Sequence, residues 1–227
     1  MKAINKAGMS SAIGYLTAKL GKELKRDIEA AILSRNEATA GAAASARVSA
    51  GMQTYLETSL HIHPSSSLAT TTAWLSTGIP NSTSVQGSAT TTAFTQAILE
   101  SALQVAWANG GETDMILMSA KQKAIANTFT GIATRFREVG SQQQAQIVAA
   151  ADVFVSNFGS HKIMLSRYLD PDVVLCIDSS QWAIAYLRPI QSKEMPPVGD
   201  ADRWQLLAEW TLMGKQPQST TKITAIT

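Results

Sequence analysis

Ser10 to Arg35 reads SSAIGYLTAKLGKELKRDIEAAILSR, and this stretch sets the architecture. Ile13, Leu16, Leu20, Leu24, Ile28 and Ile32 recur at spacings of three and four, which draws one apolar stripe along a helix. Lys19, Lys22, Glu23, Lys25, Arg26, Asp27 and Glu29 occupy the other faces, and Ser10 or Ser11 can cap the start. Such a helix has about 25 residues and runs about 37 Å. That is long beside the usual 11–12 residues or so. A single stripe on so long a rod predicts that it lies across other structure or along a neighbouring subunit.

Outward from the helix the composition changes. Residues 36–51 are rich in Ala, Gly and Ser, with breaks at Gly41 and Gly51. Residues 58–92 are richer in Ser and Thr, with Pro64, Gly78, Pro80 and Gly87, and read as an extended loop with one or two short strands. From Thr92 a second amphipathic helix runs through Phe94, Ile98, Leu99, Ala102, Leu103 and Ala106 to a stop at Asn109-Gly110-Gly111. Met115–Met118 reads as a short buried strand. Ser119 caps a third helix through Phe129 that ends at Gly131, and 133–149 is a polar loop. Strands follow at Asp152–Ser156, Lys162–Ser166, Val173–Ile177, Ala183–Leu187, Trp204–Leu212 and Lys222–Ile226. Asn157-Phe158-Gly159, Asp170-Pro171-Asp172 and Pro196-Pro197 read as the turns between them. Helices mixed with antiparallel-looking strands predict an α+β fold.

Composition narrows the function. The chain has 227 residues, 45% hydrophobic and 16% charged, enough for a real core. Its 19 basic and 17 acidic residues leave a net charge of +2, without the concentrated basic face of a nucleic-acid grip. No run of about 18 apolar residues offers a membrane span, and the start lacks the apolar run of a signal peptide. One cysteine, Cys176, excludes an internal disulfide framework. Lying in the run Val173–Ile177, it reads as a buried, inert thiol suited to a reducing cytoplasm.

The residues nominate no catalytic, cofactor-binding or metal-binding site. His61 and His63 are the only histidine pair, and no set of three or four ligands surrounds them. His161 reads as a turn residue. Asp178-Ser179-Ser180 follows a buried strand but lacks a G-x-S-x-G elbow, so turn capping explains it as well. Phosphate-binding glycine motifs are absent from the sequence. Trp182, Tyr186, Trp204 and Trp210 are spaced as strand residues of a core or a subunit interface.

Five segments together, in order, resemble one family. They are Lys22–Leu33, Gly110-Gly111-Glu112 with Asp114, Phe129-Thr130-Gly131 with Ala133-Thr134-Arg135, Trp182–Pro189, and Gly199-Asp200 with Arg203, Leu206, Leu207, Glu209, Thr211 and Leu212. The family is the tailed-bacteriophage major capsid proteins of the Hong Kong 97-like fold, in the SU-ten-like podophage branch. The resemblance implies a spine helix within a peripheral region at 1–92. It implies an axial domain at 93–227, a helix-flanked, mainly antiparallel sheet with returning C-terminal strands and with loop 133–149 near the capsomer centre. It further implies hexamers and pentamers of an icosahedral head around double-stranded DNA, assembled in the host bacterial cytoplasm with scaffold or cement proteins as further partners. No cofactor, membrane or catalysis is implied. Segment 58–92 matches nothing in the family pattern. Family members also carry an N-terminal arm and an extended loop before the long helix, whereas Met1 stands almost at the helix here. A chain without those elements is expected to form monomers or small rings rather than a uniform head. Two other readings compete: an encapsulin-like shell of a cellular compartment, and a small α+β enzyme.

Overall fold

A computed structural model describes residues 12–56, 61–62, 91–129, 153–199 and 201–227. Helix α1 spans Ala12–Leu33. Its stripe is buried at one end only. Ile28 and Leu33 are inside, whereas Ile13, Leu16 and Leu20 are 40%, 53% and 50% exposed. After α1 the small residues 36–51 fold back on themselves through the bridges Thr39–Val48 and Ala42–Ser45. Gly41 supplies the positive φ of +80° that this turn needs. A Cβ at Gly51 would fall 2.0 Å from the Ser34 carbonyl oxygen, so only glycine lets the chain pass so close to the helix end.

Strand β1 (His61–Ile62) is the short strand expected within 58–92, most of which lies outside the described residues. Helix α2 spans Gln96–Ala108, with the Thr95 hydroxyl accepting from the Ile98 N–H. It ends where Asn109-Gly110-Gly111 predicts. Gly110 has φ +79°, and the N–H groups of Gly110 and Gly111 return to the carbonyls of Trp107 and Ala106 at 2.9 Å each. Strand β2 is Met115–Met118. Helix α3, Ala120–Ala126, is capped by Ser119 as expected but stops before Phe129, and Gly131 and loop 133–149 lie outside the described residues.

Strands β3 (Val153–Ser156), β4 (Gly159–Leu165), β5 (Val174–Ile177) and β8 (Thr221–Ile223) complete a six-stranded sheet in the order β1-β8-β5-β2-β4-β3. Three of its ladders are antiparallel, and β1–β8 and β2–β4 are parallel. The sheet is therefore more mixed than the sequence pattern suggested. Strand β5 explains its unbroken apolar run. Val174 and Cys176 face one cluster with Leu99, Leu103, Ile116 and Phe154, while Val173, Leu175 and Ile177 face another with Leu33, Met52, Leu56 and Leu212. A strand covered on both faces has no reason to alternate with polar residues.

The last unit is a long ribbon. Among the described residues, strands β6 (Trp182–Val198) and β7 (Ala201–Gly214) pair only with each other, in an antiparallel ladder about 50 Å long. Strand β6 is far longer than the expected Ala183–Leu187. Pro196-Pro197 is not the turn but lies inside the strand near the tip, where Gly199 at φ +70° reverses the chain. Proline is tolerated there because, among the described residues, β6 borders no further strand that would need an N–H. Helix α1 lies against β7, and the base of the ribbon is fixed by Leu212, which is buried.

Candidate functional site

Each residue that the sequence singled out now has a place. His161 corrects its reading as a turn residue: it lies within β4, 1% exposed. Its Nδ1 sits 2.7 Å from the Thr113 carbonyl oxygen, which can only accept, so Nδ1 carries the proton. Nε2 then accepts from the Ser156 hydroxyl at 2.7 Å. The same Ser156 oxygen accepts the Phe158 N–H at 3.0 Å, which holds the β3–β4 hairpin closed. Both ring nitrogens are thus engaged in joining β4 to the hairpin and to the segment before β2.

Beside this hairpin an open cavity of about 290 Å³ is lined by Trp107, Glu112, Asp114, Phe158 and His161, among others. Both oxygens of Asp114 are engaged, accepting the Ser179 N–H at 2.9 Å and its hydroxyl at 2.5 Å. Asp178 likewise accepts the N–H and hydroxyl of Ser180. The serines of 178–180 therefore donate to carboxylates at the end of a strand, and neither has an imidazole partner there. This is capping geometry.

Cys176 is fully buried, and burial pushes its thiol pKa up to about 12. It stays protonated and inert at neutral pH. His61 lies on β1, and His63 falls outside the described residues. Among the described residues no group of three or more His, Cys, Asp or Glu stands ready for a metal. The aromatic residues divide. Trp182 packs edge-on against Tyr55 at 5.6 Å and donates to the Thr220 hydroxyl at 2.8 Å. Tyr186 and Trp204 stand on the ribbon, 46% and 45% exposed.

Sequence reasoning missed one buried charge. Lys222 on β8 is 2% exposed, and its amine donates to the Gln53 carbonyl at 3.2 Å. Close by, Arg35 pairs with Asp170 at 2.8 Å. The Gln53 amide donates to the Leu33 carbonyl at 2.7 Å. The group ties the end of α1 to the sheet. Burial, then the nearby Arg35 charge, lowers the Lys222 pKa to about 8. Unfolding restores a normal lysine near 10.5. Between those values the unfolded chain binds more protons, so stability rises with pH through this window. The rise should approach about 3 kcal/mol in total. Thermal melts from pH 7 to 10 should show it, and Lys222→Met should remove this slope and be the more stable of the two at pH 7.

These hydrogen bonds and the Arg35–Asp170 ion pair hold together the elements of a mixed α+β protein. A family model described as SU10 major capsid protein matches residues 1–227, and the chain belongs to that family. It is a phage major capsid protein, a structural component of the virion that assembles with itself into the shell. The match does not favour the encapsulin-like compartment. A search of curated proteins returned no match. Among the described residues no helix is long and apolar enough to cross a membrane.

Proposed function

We propose that the chain builds hexamers and pentamers of an icosahedral head of the Hong Kong 97-like fold, around double-stranded DNA, in the host bacterial cytoplasm. In this reading α1 is the spine helix of a peripheral unit within 1–92. Strands β2, β3, β4, β5 and β8 with α2 and α3 belong to an axial domain within 93–227, and β1 joins their sheet from the first region. The returning strands β6 and β7 join the peripheral unit, since β7 lies against α1. Scaffold or cement proteins are further partners.

One observation carries the reading. A single chain leaves Ile13, Leu16 and Leu20 of α1 and Tyr186, Leu187 and Trp204 of the ribbon exposed, Leu187 by 82%. Large apolar side chains gathered on two adjoining elements mark contact surfaces. Each such contact is modest, and closure of the shell makes many of them act together. Near-neutral net charge suits a shell that encloses DNA without gripping it.

Sedimentation and electron microscopy of the purified chain test this, across concentrations and salt. Monomers together with rings of five or six subunits are expected, rather than a uniform head. A strictly monomeric chain under every condition would sink the reading.

A further inference from the structure

The two edges of the β6–β7 ribbon are built differently. At each register shift β6 advances by more residues than β7: from Tyr186 to Arg188 against Trp210 to Glu209, from Arg188 to Gln191 against Glu209 to Leu207, and from Met195 to Val198 against Arg203 to Ala201. Every extra residue therefore belongs to β6. Pro189, Pro196 and Pro197 also lie in β6, while β7 has neither a proline nor an internal glycine before Gly214. Bulges and prolines are the devices by which a strand refuses another strand at its edge. Strand β6 has both and β7 has neither.

The exposed side of β7 is also ordered. The Leu212 N–H points away from β6, toward the Ser49 hydroxyl at 3.4 Å, and the Leu212 carbonyl accepts from the Tyr55 hydroxyl at 2.9 Å. Because β7 is regular, Trp210, Ala208, Leu206 and Trp204 turn their backbone groups the same way, by the two-residue repeat of a strand. Those residues share one face, which gives β7 an apolar run of Trp204, Leu206, Ala208, Trp210 and Leu212. Only its last member is buried. Among the described residues no other backbone segment pairs with β7 between Arg203 and Trp210. A two-stranded ribbon is marginal by itself in water, and a third strand removes that weakness.

We propose that the outer edge of β7, from Trp204 to Trp210, receives a strand from a second copy of this chain. The inference rests on the self-assembly reading, which supplies the partner. The unguarded edge supplies the place and the mode, main-chain hydrogen bonds backed by one apolar face. When the donated strand is other than β7 itself, the contact joins unlike surfaces of the two copies and propagates around a ring rather than stopping at a dimer.

Amide hydrogen exchange resolved to single residues tests it in the wild-type protein. In monomers the N–H groups of Trp204, Leu206, Ala208 and Trp210 should exchange freely. In rings or shells they should slow by about tenfold or more, the ratio that one net backbone hydrogen bond sets. Ala208→Pro removes one outward N–H and leaves the β6 ladder intact. It should keep the monomer's melting temperature and lose assembly. Protection already present in the monomer would overturn the proposal, because the chain would then cover its own edge. Assembled protein whose four amides still exchange freely would overturn it as well, while leaving self-assembly standing. Absence of any assembly would defeat both.

Discussion

Ile28→Asp should cost the folded subunit several kcal/mol, about 3–5, the class of an uncompensated buried charge. Ile28 is 7% exposed on the face of α1 turned toward the rest of the subunit. Lys25, Arg26, Asp27 and Glu29 beside it on α1 are exposed. Leu16→Asp, three turns earlier on the same stripe, should behave oppositely. Leu16 is 53% exposed, so a charge there should leave monomer stability within about 0.5 kcal/mol of wild type. Its effect should appear in assembly, where that half of the stripe would be covered. Denaturant melts of the two monomers, followed by sedimentation, separate the outcomes. Equal destabilisation by both would mean that α1 is buried along its whole length.

The second large effect is Leu103→Ala, expected to cost about 2–5 kcal/mol. Leu103 is 1% exposed and packs in the cluster that holds α2 on the sheet, with Leu99, Ile116, Phe154 and Ile223. Truncation leaves a void, because a sheet gripped from both faces cannot collapse into it. In a chain of this size each kcal/mol lowers the melting temperature by about 2–4 °C. A scanning melt therefore reads the change directly. A shift under about 2 °C would show that α2 does not carry the core.

Parts of this fold were legible because their signals are local. Ser119 sits one residue before α3 and caps it through its own hydroxyl, whereas α2 begins at Gln96, behind a Thr95 cap, and not at Thr92. Gly110 stops α2 by adopting a φ that other residues resist. Met115–Met118 shows as a strand from four apolar residues between a turn and a cap. What escaped was set by distant partners. The parallel pairing of His61 with Lys222 joins segments far apart in the chain, and neither flank announces it. The same pairing hides Lys222, whose neighbours Thr221 and Ile223 read as an ordinary strand with one outward charge. His161 was read as a turn residue because Gly159 stands two positions before it, and only the ladder with β3 shows otherwise. Pro196-Pro197 reads as a turn by a rule that is sound for a central strand but not for an edge. The family resemblance was legible through the order of several modest segments, and the match along 1–227 agrees with it.

The mismatch between β6 and β7 has an evolutionary side. A strand that already carries its spare residues in three pockets can lose or gain one at a pocket without shifting the rest of the ladder. Each such change would rotate the tip of the ribbon about its base, since the twist at a bulge depends on the residue it holds. Angles between neighbouring subunits are what fix the radius of a closed shell. With the ribbon edge joining copies as proposed, single-residue insertions and deletions in β6 would alter those angles and leave the buried sheet untouched.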